Sequence, residues 1–182
     1  RGTQMGDIKY VDVDGDGKIT GNDQVRKYTS ATPRAQFGFS AGASYRNISL
    51  NVFFQGQAGS QQNVFDAEGI RAIQPFFTKR WTPDNPDANF PRAFDRDDPI
   101  ETLPSTMWLY NASFLRLKNV RLSYVLPKNL IHGISNFDVY INARNLITWD
   151  SMLGNWDPER TSGGNYDYPQ IQEITIGINI SY

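Results

Sequence analysis

Residues 174–182 read Ile174-Thr175-Ile176-Gly177-Ile178-Asn179-Ile180-Ser181-Tyr182. Every second residue is apolar and those between are polar or small. Strict alternation puts four isoleucines and a terminal tyrosine on one face of a β-strand. Such a face suits lipid better than water, with the tyrosine at headgroup level. A closing strand of an outer-membrane β-barrel has this pattern.

Four further runs extend the pattern. Gln36–Tyr45 puts Phe37, Phe39, Ala41, Ala43 and Tyr45 on one face, with glycine, serine and glutamine on the other. Ile48–Gln55 puts Ile48, Leu50, Val52 and Phe54 together, and Phe53 breaks the alternation. Only Arg46 and Asn47 separate these runs, which makes them a tight hairpin. Phe137–Trp149 aligns Phe137, Val139, Ile141, Ala143, Ile147 and Trp149, with Asn145 the exception. In Phe114–Leu126 the apolar residues change sides. Leu115 and Leu117 share one face, while Val120, Leu122, Tyr124 and Leu126 share the other. Either a bulge near Lys118 and Asn119 restores the register, or the second half packs its apolar side chains inward against other protein.

The fold class is therefore all-β: about five strands from a large antiparallel transmembrane barrel with long extracellular loops. The expected lipid-facing set is Phe37, Phe39, Ile48, Leu50, Val52, Val139, Ile141, Ile176 and Ile178. If Tyr182 ends on the periplasmic side, parity makes 147–172, 56–113 and 1–34 external. The turn near 127–136 and the Arg46/Asn47 turn are then periplasmic. The external segments come out long and the periplasmic ones short, as in outer-membrane barrels. Tyr45, Tyr124 and Tyr182 fall at the periplasmic ends, and Phe54, Trp108, Tyr110 and Trp149 near the external ends. Five strands are too few to close, since the smallest membrane barrels use about eight.

Composition agrees with this class. The chain has 182 residues, 39% of them hydrophobic, with 18 basic against 19 acidic side chains. It has no polyanionic character of disorder and no basic bias for nucleic acid. It contains no apolar run of about 18 residues, the length of a spanning helix. Cysteine is absent, which removes disulfide and thiolate chemistry. The chain opens on Arg1 with no leader pattern, and the expectation is a C-terminal piece of a longer protein.

Residues 12–23 read Asp-Val-Asp-Gly-Asp-Gly-Lys-Ile-Thr-Gly-Asn-Asp. Asp12, Asp14 and Asp16 at the first, third and fifth places, Gly17 at the sixth and Asp23 at the twelfth match an EF-hand-type calcium loop. Lys18 would add its backbone carbonyl, and Thr20 a hydroxyl or a held water. The closing acid is the shorter Asp rather than Glu, and no helical pattern flanks the loop. The plainer reading is an Asp- and Gly-rich turn without an ion. A calcium ion here would be structural, pinning a long loop.

Trp81–Pro99 is rich in proline, aspartate and asparagine and reads as irregular. Trp81, Phe90, Phe94, Trp108 and Trp156 are candidate stacking platforms for sugar or peptide. The plainer alternative makes them the small cores that long loops need. No catalytic set emerges. His132 is the single histidine and sits in a short turn, with no serine–carboxylate arrangement around it. No carboxylate pair is singled out by spacing, and phosphate-loop and dinucleotide motifs are absent.

In order along the chain come Gly6-Asp-Ile-Lys-Tyr10, the Asp12–Asp23 loop, Phe53-Phe-Gln-Gly56, and Trp81 through Asn89-Phe-Pro-Arg92. Asn111-Ala-Ser-Phe-Leu-Arg-Leu-Lys-Asn-Val120, Leu126-Pro127, Asn145-Leu146, Asp157-Pro-Glu159, Tyr168-Pro169 and the closing strand follow. This series resembles the C-terminal end of SusC/RagA-like TonB-dependent outer-membrane transporters. The resemblance implies a barrel of about 22 strands, plugged by an N-terminal domain that these residues do not include. Residues 1–34 would be an external loop carrying the calcium motif, and 35–182 barrel strands and loops. It further implies TonB-driven import of oligosaccharides or peptides, a SusD-like surface lipoprotein, contact with membrane lipid and no enzymatic activity. Two other classes also fit the alternation: a soluble calcium-dependent glycan-binding β-sandwich, and a secreted adhesin or structural β-protein.

Overall fold

The computed structural model describes residues 3–27, 30–64, 74–93, 103–127, 133–153, 156–159 and 170–182. It divides into two compact units. One is built from Arg1–Ala31, Gln61–Asn111 and Met152–Asp167, the other from Thr32–Ser60, Ala112–Ser151 and Tyr168–Tyr182.

The second unit is a five-stranded antiparallel sheet. Its strands are β1 (Ala35–Tyr45), β2 (Ile48–Ala58), β5 (Phe114–Val125), β6 (Asn136–Asp150) and β7 (Glu173–Ser181), hydrogen-bonded in the order β1-β2-β5-β6-β7. All five runs read from alternation are strands. The β1–β2 hairpin closes on Tyr45↔Ile48 through Arg46 and Asn47. Asn47 ties that turn to β5: its side-chain amide donates to the Val125 carbonyl at 2.8 Å. The Val125 N–H returns a bond to the Asn47 carbonyl at 2.9 Å.

Directly paired residues of an antiparallel ladder share a face, so the register fixes which side chains lie together. One row runs Ala43, Leu50, Leu122, Ile141, Ile176. Further along, Phe37 pairs with Gly56, which pairs with Leu115, then Trp149. Val120 and Leu117, of opposite parity, lie on this same face. The reason is a bulge: Phe53 pairs with Asn119 and Phe54 with Leu117, so Lys118 is skipped. On the other side Leu117 pairs with Ile147 and Asn119 with Arg144, leaving Asn145 and Leu146 opposite Lys118. Of the two readings of this run, the bulge is the one that occurs. Asn145, the exception on β6, takes a left-handed backbone there (φ 52°). Phe53 turns to the polar face, where its ring edge lies about 3.1 Å from where a Cβ on Gly38 would stand.

The polar face is knitted by side chains. Asp138 accepts from Arg121 at 3.2 Å and from Asn179 at 3.0 Å, and the Arg121 guanidinium lies 3.9 Å from the centre of the Tyr140 ring. Tyr140 in turn covers Gly177, where an added Cβ would fall 2.4 Å from the phenol. Gly177→Ala should therefore overpack the sheet by about 1–3 kcal/mol. Its folded fraction in heat-modifiability gels should drop and be recovered in Gly177→Ala/Tyr140→Ser.

The first unit has a small aromatic core. Ile8, Val64, Phe76, Phe90 and Trp108 are buried together, with Tyr10, Met107, Tyr110, Met152, Leu153 and Trp156 packed against them. A two-stranded ribbon, β3 (Gln61–Asn63) with β4 (Leu109–Asn111), supplies Tyr110 and is flanked by Val64 and Trp108, and a short helix α1 (Gln74–Lys79) supplies Phe76. Trp108 is fully buried. The expectation that it belongs to an external aromatic girdle is thus corrected: an indole closed inside protein is unavailable to an interface. Tyr110 is half-buried against the same core. Of the candidate stacking platforms, Phe90, Trp108 and Trp156 belong to this core. The Trp81 ring lies against Gly6, 2.5 Å from where a Cβ would stand. Phe94 and His132 lie outside the described residues. No helix among the described residues is long and apolar enough to cross a membrane, which says nothing of strands.

Candidate functional site

Two features offer function: the apolar face of the sheet and the acidic loop. The face is exposed across all five strands. On β7, Ile174, Ile176, Ile178 and Ile180 are 54–71% exposed. Phe37, Phe39, Ile48, Leu50 and Ile141 are likewise exposed, and Val52 and Val139 are half-buried. Phe39 and Phe54 stack across β1 and β2 with ring centres 4.6 Å apart. A contiguous face of this kind marks a surface meant to be covered.

In the acidic loop, glycine geometry and carboxylate hydrogen bonds together set the conformation. Gly15 and Gly17 take left-handed backbone angles (φ 77° and 80°), which glycine alone adopts freely. Asp12 accepts from the N–H groups of Gly15 at 2.7 Å and Gly17 at 2.8 Å, one on each oxygen. Asp14 accepts from Asp16 N–H at 3.2 Å, and Asp16 from Lys18 N–H at 2.7 Å. The result gathers one carboxylate oxygen from each of Asp12, Asp14 and Asp16 within 4.8 Å of one another. Asp23 is not in that group. Its two oxygens accept from Val13 N–H at 2.8 Å and Thr20 N–H at 2.6 Å, the latter as half of a capping box on the turn Gly21–Asp23. Those bonds from Thr20 and then Val13 hold its carboxyl below the usual range. Each carboxylate oxygen has two lone-pair sites, so Asp23 retains capacity to ligate without giving up either bond.

Several of the short segments that carry the resemblance, Gly6–Tyr10, Asn89–Arg92 and Asp157–Glu159 among them, belong to the first unit. Arg92 forms an ion pair with Asp7 and its N–H donates to the Gly6 carbonyl at 2.8 Å. Ile8 and Phe90 share the core. Gln62 donates to the Pro158 carbonyl at 2.8 Å. Sequence reading missed the Asp7–Arg92 pair and the Arg121–Asp138–Asn179 cluster. The former joins segments 85 residues apart. In the latter Arg121 reaches diagonally to Asp138, whose direct cross-strand partner is Asn179, and alternation reports only which face a residue is on.

No protein-family model matches the chain. A TonB-dependent receptor of Formosa agariphila is 34% identical over 98% of this chain and 20% of its own length. The chain is related to the TonB-dependent receptors. A second receptor of that name from the same organism is 26% identical over 95% of the chain. Solved structures of the RagAB peptide importer are similar to this chain in fold and sequence. Its closed-closed state superposes with a TM-score of 0.66 at 33% identity, covering 94% of this chain and 20% of that one. Its open-open state gives 0.64 at 32% identity, covering 91% and 19%. The chain thus spans about a fifth of the length of the TonB-dependent receptors it matches.

Proposed function

We propose that this chain is the C-terminal part of the barrel wall, with outer loops, of a TonB-dependent importer in the outer membrane. The observation that carries the reading is the uninterrupted apolar face, kept uninterrupted by the Lys118 bulge, opposite a polar face of ion pairs and amides. A spanning strand needs about 9–11 tilted residues, and each of the five strands has at least nine. Lipid covers the apolar face and the polar face lines the lumen. The cargo is an oligosaccharide or a peptide, and the likeness to RagAB, a peptide importer, favours peptide. A SusD-like lipoprotein caps the outer side and TonB drives transport from the periplasm. The competing β-sandwich would need a second layer over the apolar face.

Labelling tests the topology. In intact cells expressing the full-length protein, Asp84→Cys should react with an impermeant maleimide and Ser135→Cys should not. Release of the protein without detergent, or the inverse labelling, would sink the reading.

Calcium at the acidic loop is part of the same proposal. Asp12, Asp14, Asp16, the Lys18 carbonyl and Asp23 would supply the hard oxygens the ion requires. Three clustered carboxylates repel one another, and a divalent cation relieves that repulsion. Asp14 is the clean probe, because it holds only one weak backbone bond whereas Asp12 holds two strong ones. Asp14→Ala should abolish calcium heat in calorimetry on the chelator-treated full-length protein while leaving its heat-modifiable folded band. Unchanged heat in Asp14→Ala, or none in the parent at millimolar ion, would reduce the motif to an acidic turn.

A further inference from the structure

This inference rests on the reading of the apolar face as lipid-facing. Arg46 occupies the first position of the two-residue β1–β2 turn with φ 53°, a conformation glycine or asparagine adopts at lower cost. Nothing in hairpin formation asks for arginine there. The turn is pinned, since Asn47 is bonded through both side chain and backbone to Val125, so Arg46 is held at a fixed place. Its guanidinium stands 5.3 Å from the centre of the Tyr45 ring, and among the described residues no carboxylate pairs with it.

The apolar face begins at once beside it. The row next to the turn runs Tyr45, Ile48, Tyr124, Val139, Ile178, and the following row Ala43, Leu50, Leu122, Ile141, Ile176. Tyr45 is 71% exposed and Tyr124, Ile48, Leu50 and Leu122 are exposed with it. An unpaired cation, two exposed phenols and then bare hydrocarbon follow one another along the face. That is the order of groups met on passing from a phospholipid headgroup to its acyl chains. Guanidinium matches phosphate with two parallel hydrogen bonds.

We propose that Arg46 binds the phosphate of an anionic glycerophospholipid. The lipid's headgroup lies against Tyr45 and its acyl chains over Ile48, Leu50 and Leu122. The Arg46 cation selects a lipid of net negative charge, because a choline headgroup would bring a second cation beside it.

The test uses full-length protein in neutral detergent, offered equimolar phosphatidylglycerol and phosphatidylcholine and read by native mass spectrometry. Wild type should retain phosphatidylglycerol at least several-fold over phosphatidylcholine. Arg46→Gly, which suits the backbone and should preserve the folded band, should lose that preference, and Arg46→Lys should keep part of it. Inorganic phosphate at millimolar concentration should not displace the lipid. Equal retention in Arg46→Gly and wild type, or no preference in wild type, overturns the site. Displacement by inorganic phosphate overturns it in favour of a soluble anion. Failure of the underlying reading looks different: wild type would be monomeric without detergent and would not float with vesicles.

Discussion

Ile176→Arg is expected to block folding into the membrane, and Thr175→Arg, one residue away, to be tolerated. Ile176 lies mid-strand in β7 and is 71% exposed on the apolar face. An arginine at the bilayer midplane of a barrel costs about 2–4 kcal/mol, falling toward zero near the interfaces. At about 1.4 kcal/mol per factor of ten, the ratio of folded to unfolded protein should fall roughly 30- to 1,000-fold. Thr175 points to the opposite face, where its hydroxyl bonds Glu173 at 3.2 Å, so an arginine there meets a carboxylate and water. The folded band in heat-modifiability gels reads the difference. Equal damage from both, or none from either, would mean that lipid does not cover the Ile176 face.

Trp108→Ala should have an effect of similar size in a different place. Trp108 is fully buried. Its ring centre lies 6.2 Å from that of Phe76, and its carbonyl accepts from Val64 N–H at 2.9 Å. Truncating a buried tryptophan to alanine costs about 3–5 kcal/mol, comparable to the whole stability of a small cluster. The unit holding Val64, Phe76, Phe90 and Trp108 should open, and limited proteolysis should cut within residues 61–111 of the detergent-solubilised protein. The heat-modifiable band of the five strands should persist. If Trp108 were instead an interfacial anchor, that band would weaken and the loop segment would stay resistant.

The contrast between these two sites explains what could be read from the chain alone. A barrel strand states its orientation residue by residue, so Ile174–Ile180 and Phe37–Tyr45 are legible without neighbours. The acidic loop is equally local, since its bonds join residues ten or fewer positions apart. Trp108 carries no such local mark. An indole between Met107 and Leu109 reads alike in a girdle and in a core. What decides is Val64, Phe76 and Phe90 arriving from elsewhere in the sequence. The Asp7–Arg92 pair was illegible for the same reason. Phe114–Leu126 stood between the two cases: its change of side was visible, but the partner strand was needed to assign it to Lys118.

That single skipped residue has a consequence for how such sequences are searched. A strand interrupted at Lys118 behaves like text with a shifted reading frame: each half is in phase, and the two halves are out of phase with each other. A fixed two-residue window laid across Phe114–Val125 averages them toward no signal. Straightening the bulge with Lys118 kept in the ladder would turn Leu115 and Leu117 to the wet side. Detection of barrel walls by alternation should therefore score half-strands separately and allow one slip between them, or it will discard strands that span the bilayer.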